Sequence, residues 1–298
     1  MAQQFAQVSD PHLTDLAGVR PSRLLSKRFL SYLSWRRRRR FEHRREVLEV
    51  LADDLAGQEL CQLLVTGDLT HTGLPEEFRQ ARNWLESMGT PDTVAVIPGN
   101  HDALVADDPA ETFDLWQAYM ASDPGLAEAF PSLRLRGELA FIGLSSACPT
   151  PPLLASGRVD EAQLQALRDA LESHRDKFRV VYVHHSPVDG VEKWRKALRN
   201  ADAVAAVIRD CGAELVLHGH GHRSRLDYLP GPQGEVPVIA VPSASARGLY
   251  GADVAGYNTY RVEAQANAWT LTVQRRALAA DQQQFETLEE QVLRLPRG

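Results

Sequence analysis

Cysteine is scarce in this chain. Its 298 residues hold three, Cys61, Cys148 and Cys211, far apart and without paired spacing. That count excludes a disulfide framework, fits a reducing compartment, and makes structural thiols the expected role. No apolar run approaches the ~20 residues needed to span a bilayer. Residues 1–10 lack the basic and long apolar regions of a signal peptide. There is no internal repeat, and the Pro-rich stretch 148–152 reads as a loop rather than a linker. The net charge of -6 is mild, and 44% hydrophobic and 24% charged residues are ordinary for a globular protein. The expectation is one cytoplasmic domain over 1–298, long enough to bury a substantial core.

The charge is unevenly spread. Between residues 20 and 45 stand eleven bases (Arg20, Arg23, Lys27, Arg28, Arg36 to Arg40, Arg44, Arg45) and one acid, Glu42, in a chain with 33 bases and 39 acids overall. A basic segment on an acidic body suggests an anionic partner. Leu25, Phe29 and Leu33 are spaced four apart, with Leu30 and Trp35 nearby. A helix so built has an apolar face edged by cations, suited to an anionic membrane interface. The plain alternative is a solvated charge run beside an ordinary packing helix. Nucleic-acid binding ranks lower, because few aromatics interleave the arginines and the body is acidic.

Short apolar runs alternate with helical patterns. Strands are expected at 5–8, 62–65, 94–97, 139–144, 180–183, 215–217, 236–241, 257–262 and 269–273. Helices are expected at 46–55, 75–88, 160–171 and 201–208, with Pro75 suited to a first turn. After Arg275, Phe285, Leu288 and Val292 are spaced for a helical face. The order implies an α/β sheet whose strands feed ligand-binding loops at their carboxyl ends.

Five strand ends carry metal-type ligands: Asp10-Pro-His12, Gly67-Asp68, Gly99-Asn-His-Asp102, His184-His185 and Gly219-His-Gly-His222. Each is weak alone; together they form a set. Imidazole and carboxylate suit borderline or hard divalent ions such as manganese, iron or zinc, and Asn adds a neutral oxygen. Two such ions ~3.5–4 Å apart clamp the oxygens of an in-line displacement and make hydroxide available near neutral pH.

These blocks, in this order from Asp10 to His222, resemble the calcineurin-like metallophosphoesterase family. The resemblance implies a four-layer α/β/β/α sandwich. It implies a first metal held by Asp10, His12, Asp68 and His222, and a second held by Asp68, Asn100, His184 and His220, with Asp68 bridging. His101 would touch the phosphate or leaving group, and Asp102 would orient it. Hydrolysis would proceed by metal-hydroxide attack on phosphorus. The family places its ligand first in such a His pair with proline soon after, as Pro187 is here; this favours His184 over His185. His43 and His174 read as solvated helix positions and His218 as a strand residue, while His71 lies close enough to Asp68 to reach substrate. Ser9 and Ser186 lack the partners of a nucleophile.

Gly67-Asp-Leu-Thr-His-Thr-Gly73 lacks the Asp-Arg pair of the Ser/Thr phosphatases and the tyrosine of the purple acid phosphatases. The chain is then similar to the bacterial phosphodiesterase-type branch. A lipid-linked phosphodiester or pyrophosphate at the inner membrane face, such as UDP-2,3-diacylglucosamine, would suit the basic segment. The best-known branch of the pyrophosphohydrolases of that lipid carries Arg where His101 stands here. A soluble cyclic nucleotide phosphodiesterase fits the metal blocks equally well. A non-catalytic protein-binding scaffold of the same fold is a third reading, opposed by the complete ligand set.

Overall fold

The computed structural model describes residues 2–16, 19, 21–24 and 26–297. Two six-stranded sheets lie face to face. The first has the order β12-β11-β10-β1-β2-β3 and the second β4-β5-β6-β7-β9-β8. The strands of the first are β1 (Gln3–Val8), β2 (Gln62–Val65), β3 (Val94–Val96), β10 (Gly256–Ala264), β11 (Ala268–Leu278) and β12 (Phe285–Pro296). Those of the second are β4 (Ser132–Arg136), β5 (Leu139–Leu144), β6 (Phe178–Val183), β7 (Leu215–His218), β8 (Arg225–Gly231) and β9 (Gly234–Ala240). β1, β2 and β3 run parallel, as do β5, β6, β7 and β9.

Alternation along each central strand divides three apolar layers. Phe5, Leu64, Phe141, Val180 and Leu217 meet between the sheets. Ala6, Val8, Leu63 and Val65 face outward onto helices α3 (Arg45–Ala56) and α4 (Pro75–Met88) through Leu51 and Phe78. Ile142, Val181 and Val216 pack on α6 (Glu161–Ser173) and α7 (Ala201–Cys211) through Leu167 and Val204. Helix, sheet, sheet and helix therefore form the four-layer α/β/β/α sandwich. Both faces of each sheet are covered, which is why its parallel strands read as unbroken apolar runs.

Three strands were not anticipated. β4 and β8 are edge strands, and β8 is largely exposed, so neither has a clear apolar signature. The stretch after Arg275, open in the sequence between a packed helix and a tail, is neither: Phe285, Leu288 and Val292 lie on β12, antiparallel to β11. A register shift opposite Arg275 and Arg276 leaves Leu288 unpaired. The extra residue reverses the strand's alternation. Phe285 thus packs on the outer helices while Leu293 and Leu295 enter the layer between the sheets.

The basic segment is helical: α1 (Arg28–Ser34), a π-helical turn (Trp35–Arg39) and α2 (Arg40–Glu42). Arg20 and Leu25 lie outside the described residues, so the expected apolar stripe is testable only from Phe29 onward. Phe29 and Leu30 are exposed, whereas Tyr32 and Trp35 pack inward on Leu16, Leu24 and Leu74. No helix among the described residues is long and apolar enough to cross a membrane. Cys211 is buried, but Cys61 and Cys148 are only half-buried. A short α5 (Gln117–Met120) completes the helices.

Candidate metal centre

The carboxyl ends of β1, β2, β3, β6 and β7 open on one edge, where the five blocks converge. The backbone there is constrained. Asp10, His12, Asp68, His220 and His222 all have φ between 46° and 67°. Side chains rarely adopt that left-handed region, and such residues cluster where a site over-determines them. The 10–13 loop is pinned to the 67–69 loop: the Asp10 amide donates to the Gly67 carbonyl at 2.9 Å and the Leu13 amide to the Leu69 carbonyl at 2.7 Å. Two glycines allow this crowding. A Cβ on Gly99 would lie 2.2 Å from Asp68 Oδ1, and one on Gly219 would lie 1.9 Å from Ser9 Oγ.

One group of ligand atoms forms around Asp10. Its Oδ1 lies 3.1 Å from His222 Nε2, which lies 3.2 Å from His12 Nε2. Its Oδ2 accepts from the Ser9 hydroxyl at 2.6 Å and the His220 amide at 3.0 Å. His12 Nδ1 meets the Thr70 carbonyl at 3.0 Å, which turns Nε2 into the site. The second group surrounds Asp68. Its Oδ1 accepts from the His101 amide at 2.8 Å, and its Oδ2 lies 3.4 Å from His184 Nε2. His184 Nδ1 donates to the Thr66 carbonyl at 2.7 Å. One ligand atom each from Asp10, Asp68 and His184 lie within 4.8 Å of one another, so the two groups are contiguous.

Asn100 Oδ1, His184 Nε2 and His220 Nε2 are buried with no hydrogen-bond partner. Native interiors seldom leave such atoms unsatisfied, and these belong to the expected second-metal set. The electrostatics agree. Burial alone would raise the Asp10 carboxyl, but the imidazoles of His222 and His184 and the Ser9 hydroxyl hold it well below the carboxylate range. Burial likewise opposes, and Asp68 and Asp10 overcome, in lifting His184 to about 9. Two buried carboxylates demand positive charge here. The donor set fits borderline divalent ions.

His184, not His185, faces Asp68. His185 spends Nδ1 on the Ser146 hydroxyl at 2.8 Å and Nε2 on the Ala155 carbonyl at 3.1 Å, and its ring packs 4.5 Å from that of His220. Burial, with His184 nearby, pushes it down to about 3. His101 donates Nδ1 to the His71 carbonyl at 2.7 Å, which aims Nε2 outward. Burial lowers its basicity, Asp68 opposes, and Arg39 adds to the fall.

Asp102, expected to orient His101, makes its hydrogen bonds elsewhere. Its carboxylate accepts from the amides of Leu69, Thr70 and Gly99 and from the Thr70 hydroxyl. It fastens the β2 and β3 loops together, while the His101 ring is hydrogen-bonded to the His71 carbonyl. Burial, followed by the nearby Asp68 charge, raises Asp102 to about 7. His71 is buried and stacks on His101 with centroids 4.8 Å apart. His218 ends β7 and is buried, and His174 caps α6 through the Ala170 carbonyl at 2.9 Å.

Other residues escaped sequence reasoning. His43 is no solvated helix residue: it is half-buried, its ring 4.5 Å from that of His12, with Nδ1 on Ser245 Oγ at 2.9 Å and Nε2 on Arg39 Nη1 at 3.1 Å. Only tertiary contact brings it there. Glu77 accepts from the amides of His71, Thr72 and Leu74, holding the loop after Asp68. Its position two residues after Pro75, at the third residue of a helix, was a readable capping signal.

The chain is 27% identical over 226 residues to a 3',5'-cyclic-nucleotide phosphodiesterase of Nostoc sp., covering 73% of this chain and 77% of that protein. By structure it is similar to the yellow lupin purple acid phosphatase PPD1, with a TM-score of 0.60, 11% identity and coverage of 98% of this chain but 53% of that one. It is also similar to PhoD, with a TM-score of 0.61, 11% identity and coverage of 99% and 70%. At such identities the two structures speak for the fold alone. The model of the calcineurin-like phosphoesterases matches residues 4–224, and the chain belongs to that family.

Proposed function

We propose that the chain is a single catalytic domain that hydrolyses a phosphodiester with two divalent ions, manganese before iron or zinc. Asp10, His12, Asp68 and His222 would hold one ion, and Asp68, Asn100, His184 and His220 the other. The observation that carries this reading is the trio of buried ligand atoms, on Asn100, His184 and His220, that make no hydrogen bond. When bound, such ions supply Lewis acidity at phosphoryl oxygens and bring water within reach of ionisation near neutral pH.

The chain's own groups do the rest. Asp68 lies between the two groups of ligands and would be shared by the two ions. His101 presents Nε2 from a ring locked by the His71 carbonyl. In its imidazolium form, with Nδ1–H on the His71 carbonyl, it would donate from Nε2 to the leaving oxygen, as proton donor or as hydrogen-bond donor to the developing charge. Asp102 and Glu77 hold the loops in register, so that little reorganisation is needed at the moment of reaction.

A diester is favoured over a monoester by the Nostoc relative, whose substrate class is a cyclic nucleotide. A second reading, a lipid-linked diester or pyrophosphate taken from an anionic surface, draws on Phe29, Leu30 and Phe41, which stand exposed beside Arg36 to Arg38 and Arg40. The test is hydrolysis of bis-p-nitrophenyl phosphate, cyclic AMP and UDP-diacylglucosamine by manganese-loaded protein, with and without anionic vesicles. Cleavage of cyclic AMP regardless of vesicles selects the first reading. Cleavage of the lipid nucleotide alone selects the second. A protein that binds no metal and cleaves none of the three is the scaffold.

A further inference from the structure

We propose that Arg39 is a substrate-binding residue: its guanidinium takes a non-bridging oxygen of the phosphoryl group, so that the basic helical stretch completes the active site. The inference rests on the phosphoester reading above, and it goes beyond it by naming a cation outside the metal-ligand blocks.

Five arginines stand in a row, and they are not equivalent. Arg36, Arg37, Arg38 and Arg40 are exposed, while Arg39 turns inward and is half-buried. The π-helical turn Trp35–Arg39 sets that phase. Such turns are uncommon and recur at functional sites. Arg39 Nη1 donates to His43 Nε2 at 3.1 Å, and the His43 ring lies 4.5 Å from His12 and 5.5 Å from His222. The guanidinium is thus one imidazole away from the Asp10 group of ligands. The His101 ring also lies near, 5.1 Å from that of His12. A phosphoryl group seated over His12 would have both His101 and Arg39 beside it.

The charge balance points the same way. Burial disfavours the Arg39 charge, and the carboxylates of Asp68, Asp10 and Glu42 offset part of that cost at a distance. Yet no carboxylate lies within ion-pair reach of Arg39 among the described residues. Glu42 instead accepts from the amides of Gly248 and Leu249. A half-buried guanidinium with five donors, one of them used, is suited to an anion, and its planar fork matches phosphate.

The stretch is also fixed in place. Arg28 donates to the carbonyls of Thr72 and Gly73, and Ser31 Oγ donates to the His71 carbonyl at 2.7 Å. Those anchors lie in the loop after Asp68, while Glu42 and His43 anchor the other end to the loop after β9. Arg39 is therefore held ready before any ligand arrives.

The experiment compares wild type with Arg39→Gln, Arg39→Lys and Arg45→Gln as full-length, manganese-loaded proteins. Arg45 is a surface residue paired with Glu49. Metal content, affinity for inorganic phosphate by calorimetry, and hydrolysis of bis-p-nitrophenyl phosphate are measured. The expected result is phosphate affinity weakened about tenfold or more in Arg39→Gln, with hydrolysis lower by about 10²–10³. Metal content stays at the wild-type level, Arg39→Lys is intermediate and Arg45→Gln is unchanged. Unaltered phosphate affinity in Arg39→Gln overturns the proposal. So does a loss of bound metal in both Arg39 variants, which would make the residue structural. If wild type cleaves no diester, the phosphodiesterase reading falls, and the phosphate affinities still decide the role of Arg39.

Discussion

The two sheets bring different chemistry to their common edge. The first supplies Asp10, His12, Asp68 and Asn100 from the ends of β1, β2 and β3, and with them both carboxylates of the candidate centre. The second supplies only imidazoles, His184, His220 and His222, from the ends of β6 and β7. The halves meet as charge complements: His222 lies 3.1 Å from Asp10 and His184 3.4 Å from Asp68. Either half alone is an incomplete ligand set. The candidate site is therefore assembled only when the sheets pack in register, through the layer of Phe5, Phe141 and Leu217 between them.

The largest expected effect comes from the residue that faces both halves. Asp68→Ala should remove bound metal from the whole centre and lower diester hydrolysis by about 10⁴-fold or more. Metal analysis of the purified variant checks it; two ions retained would show that the halves bind independently. A change confined to the second sheet should behave oppositely. Arg179 and Glu214 form a buried bidentate pair, with Nη2 to Oε1 at 2.7 Å and Nε to Oε2 at 2.9 Å. Glu214→Ala leaves that guanidinium uncompensated and should cost about 3–5 kcal/mol of stability. Denaturant unfolding would measure this, while the protein that stays folded keeps its metal and turnover. His101→Ala, on the first sheet's side, should do the reverse: hydrolysis lower by about 10²–10³, with metal content and unfolding midpoint close to wild type. Wild-type turnover in that variant would remove His101 from the mechanism.

The site was more legible in the sequence than its surroundings, for a physical reason. A ligand at a parallel strand's end is announced twice, by an apolar run and by the polar residue that stops it. Asp10, Asp68, Asn100, His184 and His220 all carry that double mark. Asp102 carries it too, but there the mark does not tell the role, because the same carboxylate can serve a metal, an imidazole or a row of amides. Arg39 and His43 carry no such mark. Their burial follows from anchors at Thr72, Gly73 and Ser245, far away in the chain. Nothing in Arg36 to Arg40 read alone says which of the five turns inward.

The C-terminal hairpin offers the gentlest test of the contrast between the sheets, because it extends only the first and stands away from the metal ligands. Read as a helix, its inward residues would be Phe285, Leu288 and Val292. Read as a bulged strand, they are Phe285, Leu293 and Leu295, with Leu288 and Val292 exposed at 53% and 60%. The two arrangements rank substitutions oppositely. Leu295 enters the layer between the sheets, so Leu295→Ala should cost about 2–3 kcal/mol. Val292→Ala should stay within about 0.5 kcal/mol of wild type. Equilibrium unfolding of the pair measures both. The strand predicts the larger loss at Leu295; a larger loss at Val292 would mean that the bulge at Leu288 does not set the phase of β12. Neither change should alter metal content, since the hairpin reaches the centre only through β10 and β1.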